Sequence, residues 1–207
     1  MAQPNSVITI QDRARIVQES IDEIKEIFQQ FPDIFLTEED VRSHLFAKLL
    51  AKGLSAVKVT EDNSRSIELH SEVRWYGRRI PRMKSRSDIV VLDASTLVTT
   101  VSGSIRLPSK QYGFGGFFAT IEIKLRRSDR ESNAAFLEKI SEDIAKLEKI
   151  RRYVQTDFDG YILVFDKGPG IEQNVLALTN DRYFKIIYSH SNPADRNWTQ
   201  KPTASNH

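Results

Sequence analysis

Ala119-Thr120-Ile121-Glu122-Ile123-Lys124-Leu125 is a strand pattern with two opposite charges set two residues apart. A period of two puts Glu122 and Lys124 on one face and Ala119, Ile121, Ile123 and Leu125 on the other. A second run, Ser87-Asp88-Ile89-Val90-Val91, is β-branched and apolar with one carboxylate at its entrance. If the two runs pair in one sheet, Asp88, Glu122 and Lys124 converge. Two carboxylates and an ammonium at a sheet surface suit a divalent cation beside a phosphate.

Working outward from this pair, helices and strands follow in a readable order. Ile16 to Phe31 is expected to form an amphipathic helix, with Ile16, Val17, Ile21, Ile24, Ile27 and Phe28 at helical spacing and Pro32 as its stop. A second helix is expected from Thr37, its N-cap, with Asp40 at the third position and Gly53 as the C-terminal stop. Its buried stripe is Val41, Leu45 and Leu49, and Glu38 extends that stripe by one turn. Glu38, Glu39 and Asp40 also favour the positive end of the helix dipole, so their charge alone does not mark a site.

Ser66 to Tyr76 alternates as a strand, with Ile67, Leu69, Ser71, Val73 and Trp75 opposite Glu68, His70, Glu72 and Arg74. Glu72 is a secondary site candidate on that alternation. Between this strand and Asp88 the charged residues Arg78, Arg79, Arg82, Lys84 and Arg86 are all basic, preceded by Trp75 and Tyr76. Basic side chains supply most contacts to a nucleic-acid backbone, and this loop leads straight to the aspartate. Asp93 to Phe118 reads as an excursion between two core strands. Its Gly113-Phe114-Gly115-Gly116 bend precedes a strand and so is no nucleotide fingerprint. Arg126, Arg127 and Arg130 add positive charge beyond the E-x-K strand. A long helix is expected over Ser132 to Tyr153, with Asp143 and Lys146 as a surface i,i+3 pair. A strand (Tyr161 to Phe165), a short helix (Ile171 to Leu178) and a last strand (Tyr183 to Tyr188) complete the order.

Ser87-Asp88 followed by Glu122-Ile123-Lys124 resembles the motif of the PD-(D/E)xK nuclease superfamily, with Ser87 in place of the proline. The stretch from Thr37 to Phe165 also follows the α-β-β-β-α-β order of that superfamily. The resemblance implies an α/β fold of the restriction-endonuclease-like type, a mixed central β-sheet flanked by helices. It implies a metal-dependent nuclease acting on DNA, with Mg²⁺ or Mn²⁺ held by Asp88, Glu122, the carbonyl of Ile123 and a helix carboxylate. Glu38 is the candidate for that carboxylate, with Glu39 as the alternative. Lys124 would orient or help deprotonate the attacking water, and Arg78, Arg79, Arg82, Lys84 and Arg86 would meet DNA.

Composition narrows the other possibilities. With no Cys in 207 residues, disulfides, zinc–cysteine sites, iron–sulfur clusters and thiol catalysis are excluded. His44, His70, His190 and His207 lack metal-ligand spacing, and neither a G-x-S-x-G elbow nor a Walker loop occurs. A net charge of +2 is too small to argue for a polyanionic partner, so the clustering of basic residues carries that argument. One domain over residues 1–190 with a polar tail over 191–207, and a cytoplasmic protein without a membrane span, are the expectations. Paired cuts in a duplex would call for a homodimer. A catalytically silent nucleic-acid-binding or assembly module on the same fold is the competing function.

Overall fold

In the computed structural model, residues 9–75, 85–98, 113–114, 116–127, 131–154, 157–178 and 184–191 are described. Helix α1 (Ile10–Gln30) starts six residues before the apolar periodicity does. Thr9 and Asp12 form a capping box, each side chain accepting the other's backbone N–H at 3.1 and 3.0 Å. Helix α2 (Glu38–Leu49) is closed by the same device, Thr37 with Asp40, and widens through Leu50–Leu54 until Gly53 turns left-handed at φ 114°.

Two short pairs and one five-stranded sheet follow. Strands β1 (Lys58–Val59) and β2 (Arg65–Ser66) pair with each other, so that Ser66, expected to open the next strand, belongs to this separate pair. The main sheet runs in the order β3 (Leu69–Arg74), β4 (Arg86–Leu92), β7 (Phe117–Arg126), β8 (Asp159–Asp166), β9 (Phe184–His190). Strands β3, β4 and β7 are antiparallel neighbours, whereas β7, β8 and β9 are parallel. Between β4 and β7 the described residues of the excursion form a 3-10 turn (Ala94–Thr96) and the small pair of β5 (Leu97–Val98) with β6 (Gly113–Phe114). Residues 99–112 of the excursion, the basic residues Arg78, Arg79, Arg82, Lys84 and Arg130, Tyr183 of the expected last strand, and the tail over 192–207 lie outside the described residues. No described helix is long and apolar enough to cross a membrane.

Helices cover both faces of the sheet. Under α1 and α2, Ile21, Ile24, Leu45 and Leu49 pack on Ile89, Val91, Ile121, Ile123 and Leu163. On the other face α3 (Asn133–Val154) and α4 (Glu172–Leu176) pack Phe136, Ile140, Leu147 and Val175 on Val90, Ile162 and Val164. The chain is therefore a mixed α/β protein with a central sheet buried on both sides. A full burial of such side chains contributes about 1.5–3 kcal/mol each.

One strand departs from simple alternation. Leu69 packs beneath α1 and α2, but Val73 and Trp75, of the same parity, pack on the α3 side. Between them Glu72 takes φ 56°, and the Glu72–Asp88 pair drops out of the ladder without a change of register. The single left-handed residue reverses the faces of the strand beyond it. Ser87 is tied to the reversed side, since its hydroxyl accepts the indole N–H of Trp75 at 2.9 Å, both groups being buried.

Candidate active site

The site follows from where β4 and β7 part. Their ladder ends at the pair Ile89–Ile121, while β7 stays paired with β8 as far as Arg126. The β4-side edge of β7 is therefore open from Glu122 onward, and its backbone donors need other partners. Carboxylates supply them. Asp88 Oδ2 accepts the N–H of Ile123 at 2.8 Å, and Glu38 Oε1 accepts the N–H of Leu125 at 3.3 Å. An extended residue points its N–H and C=O to the same edge, so the carbonyl of Ile123 lies on this edge too. Of the two helix candidates, both exposed, Glu38 meets β7, whereas Glu39 is ion-paired with Arg42.

Glu122 and Lys124 leave the opposite face, toward α3. Glu122 is 1% exposed. Its Oε2 accepts from Lys146 Nζ at 2.5 Å, while Oε1 is buried with no hydrogen-bond partner among the described residues. Lys124 Nζ lies 2.7 Å from Asp143 Oδ2, and Lys146 Nζ lies 2.8 Å from Asp143 Oδ1. Acids and bases thus alternate, two buried carboxylates with two half-buried ammoniums, from Glu122 through Lys146 and Asp143 to Lys124. Asp143 and Lys146 are not the surface pair expected of their spacing. Both point into the protein because Asp143 continues the core stripe of Ile140, Leu147 and Ile150. An acid at a core position of a helix was the legible signal, and it was missed.

Protonation follows from burial. Burial pushes the Glu122 carboxyl up to about 8, further than the Lys146 ammonium brings it down, and Asp88 and Asp143 add to the rise. Burial works against the Lys124 and Lys146 ammonium charges as well, but Asp143 holds Lys124, and Glu122 and Asp143 hold Lys146, above the ordinary lysine value.

Arg42, a second missed residue, stands between Asp88, Glu72 and Glu39, with its Nη1 3.3 Å from Asp88 Oδ1. Nothing in the spacing around Val41 announces it. Arg86, proposed for nucleic acid, is half-exposed and ion-paired with Glu72. Glu72, ion-paired with these two arginines, takes a left-handed conformation, a state that costs roughly 1–3 kcal/mol in such a residue. Arg126 corrects a different expectation. It is fully buried, so it adds nothing to a positive surface. Its Nε and Nη2 donate to the two Asp166 oxygens at 2.7 and 2.6 Å, and Nη1 donates to Asn133 Oδ1 at 2.5 Å. Arg127 is exposed.

Whether the residues suit a divalent cation is answered by the donor set. Magnesium prefers hard oxygen ligands and needs only one or two carboxylates beside a phosphate. The free Glu122 Oε1, with Asp88 near enough to raise its carboxyl, supplies that. Among the described residues, no three metal-ligating side chains are gathered closely enough to form a complete cage. The site thus fits an ion completed by water and substrate. A cavity of about 490 Å³ lined by Arg13, Val17, Phe118 and Tyr161 lies at the other end of β7 and contains none of these residues. His44 packs edge-on against Phe35, and His70 and His190 meet backbone carbonyls.

No protein-family model matches this chain, and neither curated proteins nor solved structures contain a match to it. The geometry of this site is therefore what bears on function.

Proposed function

We propose that this protein is a Mg²⁺- or Mn²⁺-dependent nuclease of the restriction-endonuclease-like fold that hydrolyses phosphodiester bonds in DNA. The observation that carries this reading is the buried Glu122 Oε1, without a hydrogen-bond partner among the described residues and near enough to Asp88 for that charge to raise its carboxyl. A carboxylate oxygen left without a partner in low dielectric costs roughly 1–3 kcal/mol or more, and a cation relieves that cost. The order α2, β3, β4, β7, α3, β8 agrees with the α-β-β-β-α-β core, and helices on both faces agree with it too.

In this reading Asp88, Glu122 and the Ile123 carbonyl hold the metal, and Glu38, which accepts the Leu125 N–H, reaches it through water. Bound there, a divalent cation supplies an activated water and charge neutralisation at the phosphate. Lys124 orients the attacking water and offsets phosphate charge after exchanging Asp143 for the substrate. Burial of Glu122 excludes bulk water from its side of the site. The basic residues Arg78, Arg79, Arg82, Lys84 and Arg86 would steer and hold the DNA backbone. A cytoplasmic location and a homodimer suit paired cuts in a duplex.

A catalytically silent nucleic-acid-binding module is the second reading, favoured by Arg42, which already lies against Asp88. Incubating the protein with plasmid and single-stranded DNA in Mg²⁺ or Mn²⁺, beside Asp88→Ala and Lys124→Ala, separates the two. The nuclease reading requires cleavage by the wild type and loss of about 10² to 10³-fold in each variant. Equal cleavage by all three would overturn the site, and salt-dependent binding without cleavage would leave the silent module.

A further inference from the structure

Lys146 has an arrangement that a counter-charge alone does not need. Its three ammonium hydrogens have three acceptors on three elements: Glu122 Oε2 on β7 at 2.5 Å, Asp143 Oδ1 on α3 at 2.8 Å, and the Arg86 carbonyl on β4 at 3.2 Å. Its side chain is 18% exposed, and its neighbours on α3, Ile144 and Leu147, are buried in the core. The ammonium is thus pinned to a rigid helix and ties together the two strands that carry Asp88 and Glu122.

We propose that Lys146 is a positioning residue for Glu122, committing one carboxylate oxygen so that the other stays free for a cation. This rests on the reading of Glu122 as a metal ligand. The geometry supports it on two counts. Glu122 Oε2 is engaged while Oε1, equally buried, is not. Asp143 in turn holds Lys146 through Oδ1 and Lys124 through Oδ2, so one carboxylate spaces both lysines. Groups that orient a metal ligand from behind commonly alter affinity by about 10–100-fold when removed.

Coulomb's law makes the test decisive. If Lys146 were only a counter-charge, removing it would strengthen cation binding at the neighbouring carboxylates. If it positions Glu122, removing it weakens binding. Calorimetric titration with MnCl₂ should therefore compare the full-length wild type, Glu122→Gln, Lys146→Met and Lys146→Gln, each checked for folding by its melting transition. Lys146→Met is expected to lose about tenfold or more in Mn²⁺ affinity. Lys146→Gln, which keeps N–H donors without the charge, is expected to fall between it and the wild type. Affinity equal to or above wild type in Lys146→Met overturns the proposal. Should Lys146→Met not fold, tighter binding by Lys146→Gln overturns it and weaker binding supports it. If Mn²⁺ binding is absent in the wild type or indifferent to Glu122→Gln, the metal site itself fails and the positioning role with it. Loss in Glu122→Gln with none in Lys146→Met removes the positioning role alone.

Discussion

Strand β7 carries two buried charge clusters four residues apart, one around Arg126 and one around Glu122, and they are finished differently. Around Arg126 the polar groups are closely matched. Asp166 accepts from two guanidinium nitrogens, from the Gly168 N–H at 2.7 Å and from the Tyr188 hydroxyl at 2.6 Å, while Tyr188 accepts the Ile171 N–H at 2.9 Å. The guanidinium also stacks 5.0 Å from the centre of the Phe136 ring. Around Glu122, by contrast, two buried carboxylate oxygens lack a hydrogen bond among the described residues, Glu122 Oε1 and Asp143 Oδ2, and of these Oδ2 lies 2.7 Å from Lys124 Nζ. A satisfied buried network rigidifies, and an incomplete one in a native protein needs an explanation. The first cluster joins the ends of three strands, and the second is the one that suits a ligand.

The largest expected effect tests the first cluster. Arg126→Ala leaves Asp166 buried without its countercharge and should cost about 3–5 kcal/mol, read by denaturant unfolding. A loss below roughly 1 kcal/mol would mean the pair is not a structural pin.

The second cluster should respond through pH. The Glu122 carboxyl is raised in the folded state from 4.5 to about 8. The folded chain therefore binds a proton that the unfolded chain has released between those values. Its stabilising share is full below 4.5 and is lost as pH rises through 8. Glu122→Gln should flatten this part of the stability–pH curve, and melting curves at a series of pH values check it. An unchanged slope would place the titration elsewhere.

Gly168→Ala probes the tightness of the first cluster. A Cβ there would lie 2.6 Å from Arg126 Nε, so a loss of about 1–3 kcal/mol is expected. Tyr188→Phe removes one donor to Asp166 and should cost about 1–2 kcal/mol. Smallest of all is the coupling between the clusters. Arg126 and Glu122 are about 13 Å apart along the strand, so Glu122→Gln and Tyr188→Phe should add to within about 0.5 kcal/mol. A larger coupling would show that the two clusters act as one network.

Several elements were legible because local rules govern them. Thr37 with Asp40 capped α2, Gly53 ended it, and the alternation around Glu122 separated an apolar face from a charged one. The partners of those charges were less legible. Asp143 and Lys146 have the spacing of any exposed i,i+3 pair, and only the packing of α3 turns them inward. Arg126 sits among basic residues in the sequence, yet its destination depends on Asp166, forty residues away.

The chain by itself determined the α/β class, the strand carrying Glu122 and Lys124, and the helix start that places Glu38, since period, capping and turn chemistry act over a few residues. Tertiary structure alone decided that β4 and β7 part beyond Ile121, that Asp88 and Glu38 take up the freed N–H groups, and that Glu122 keeps one oxygen unpaired. Those outcomes depend on which distant groups meet in a low-dielectric interior, where the cost of an unmatched charge is set by its neighbours rather than by its place in the sequence.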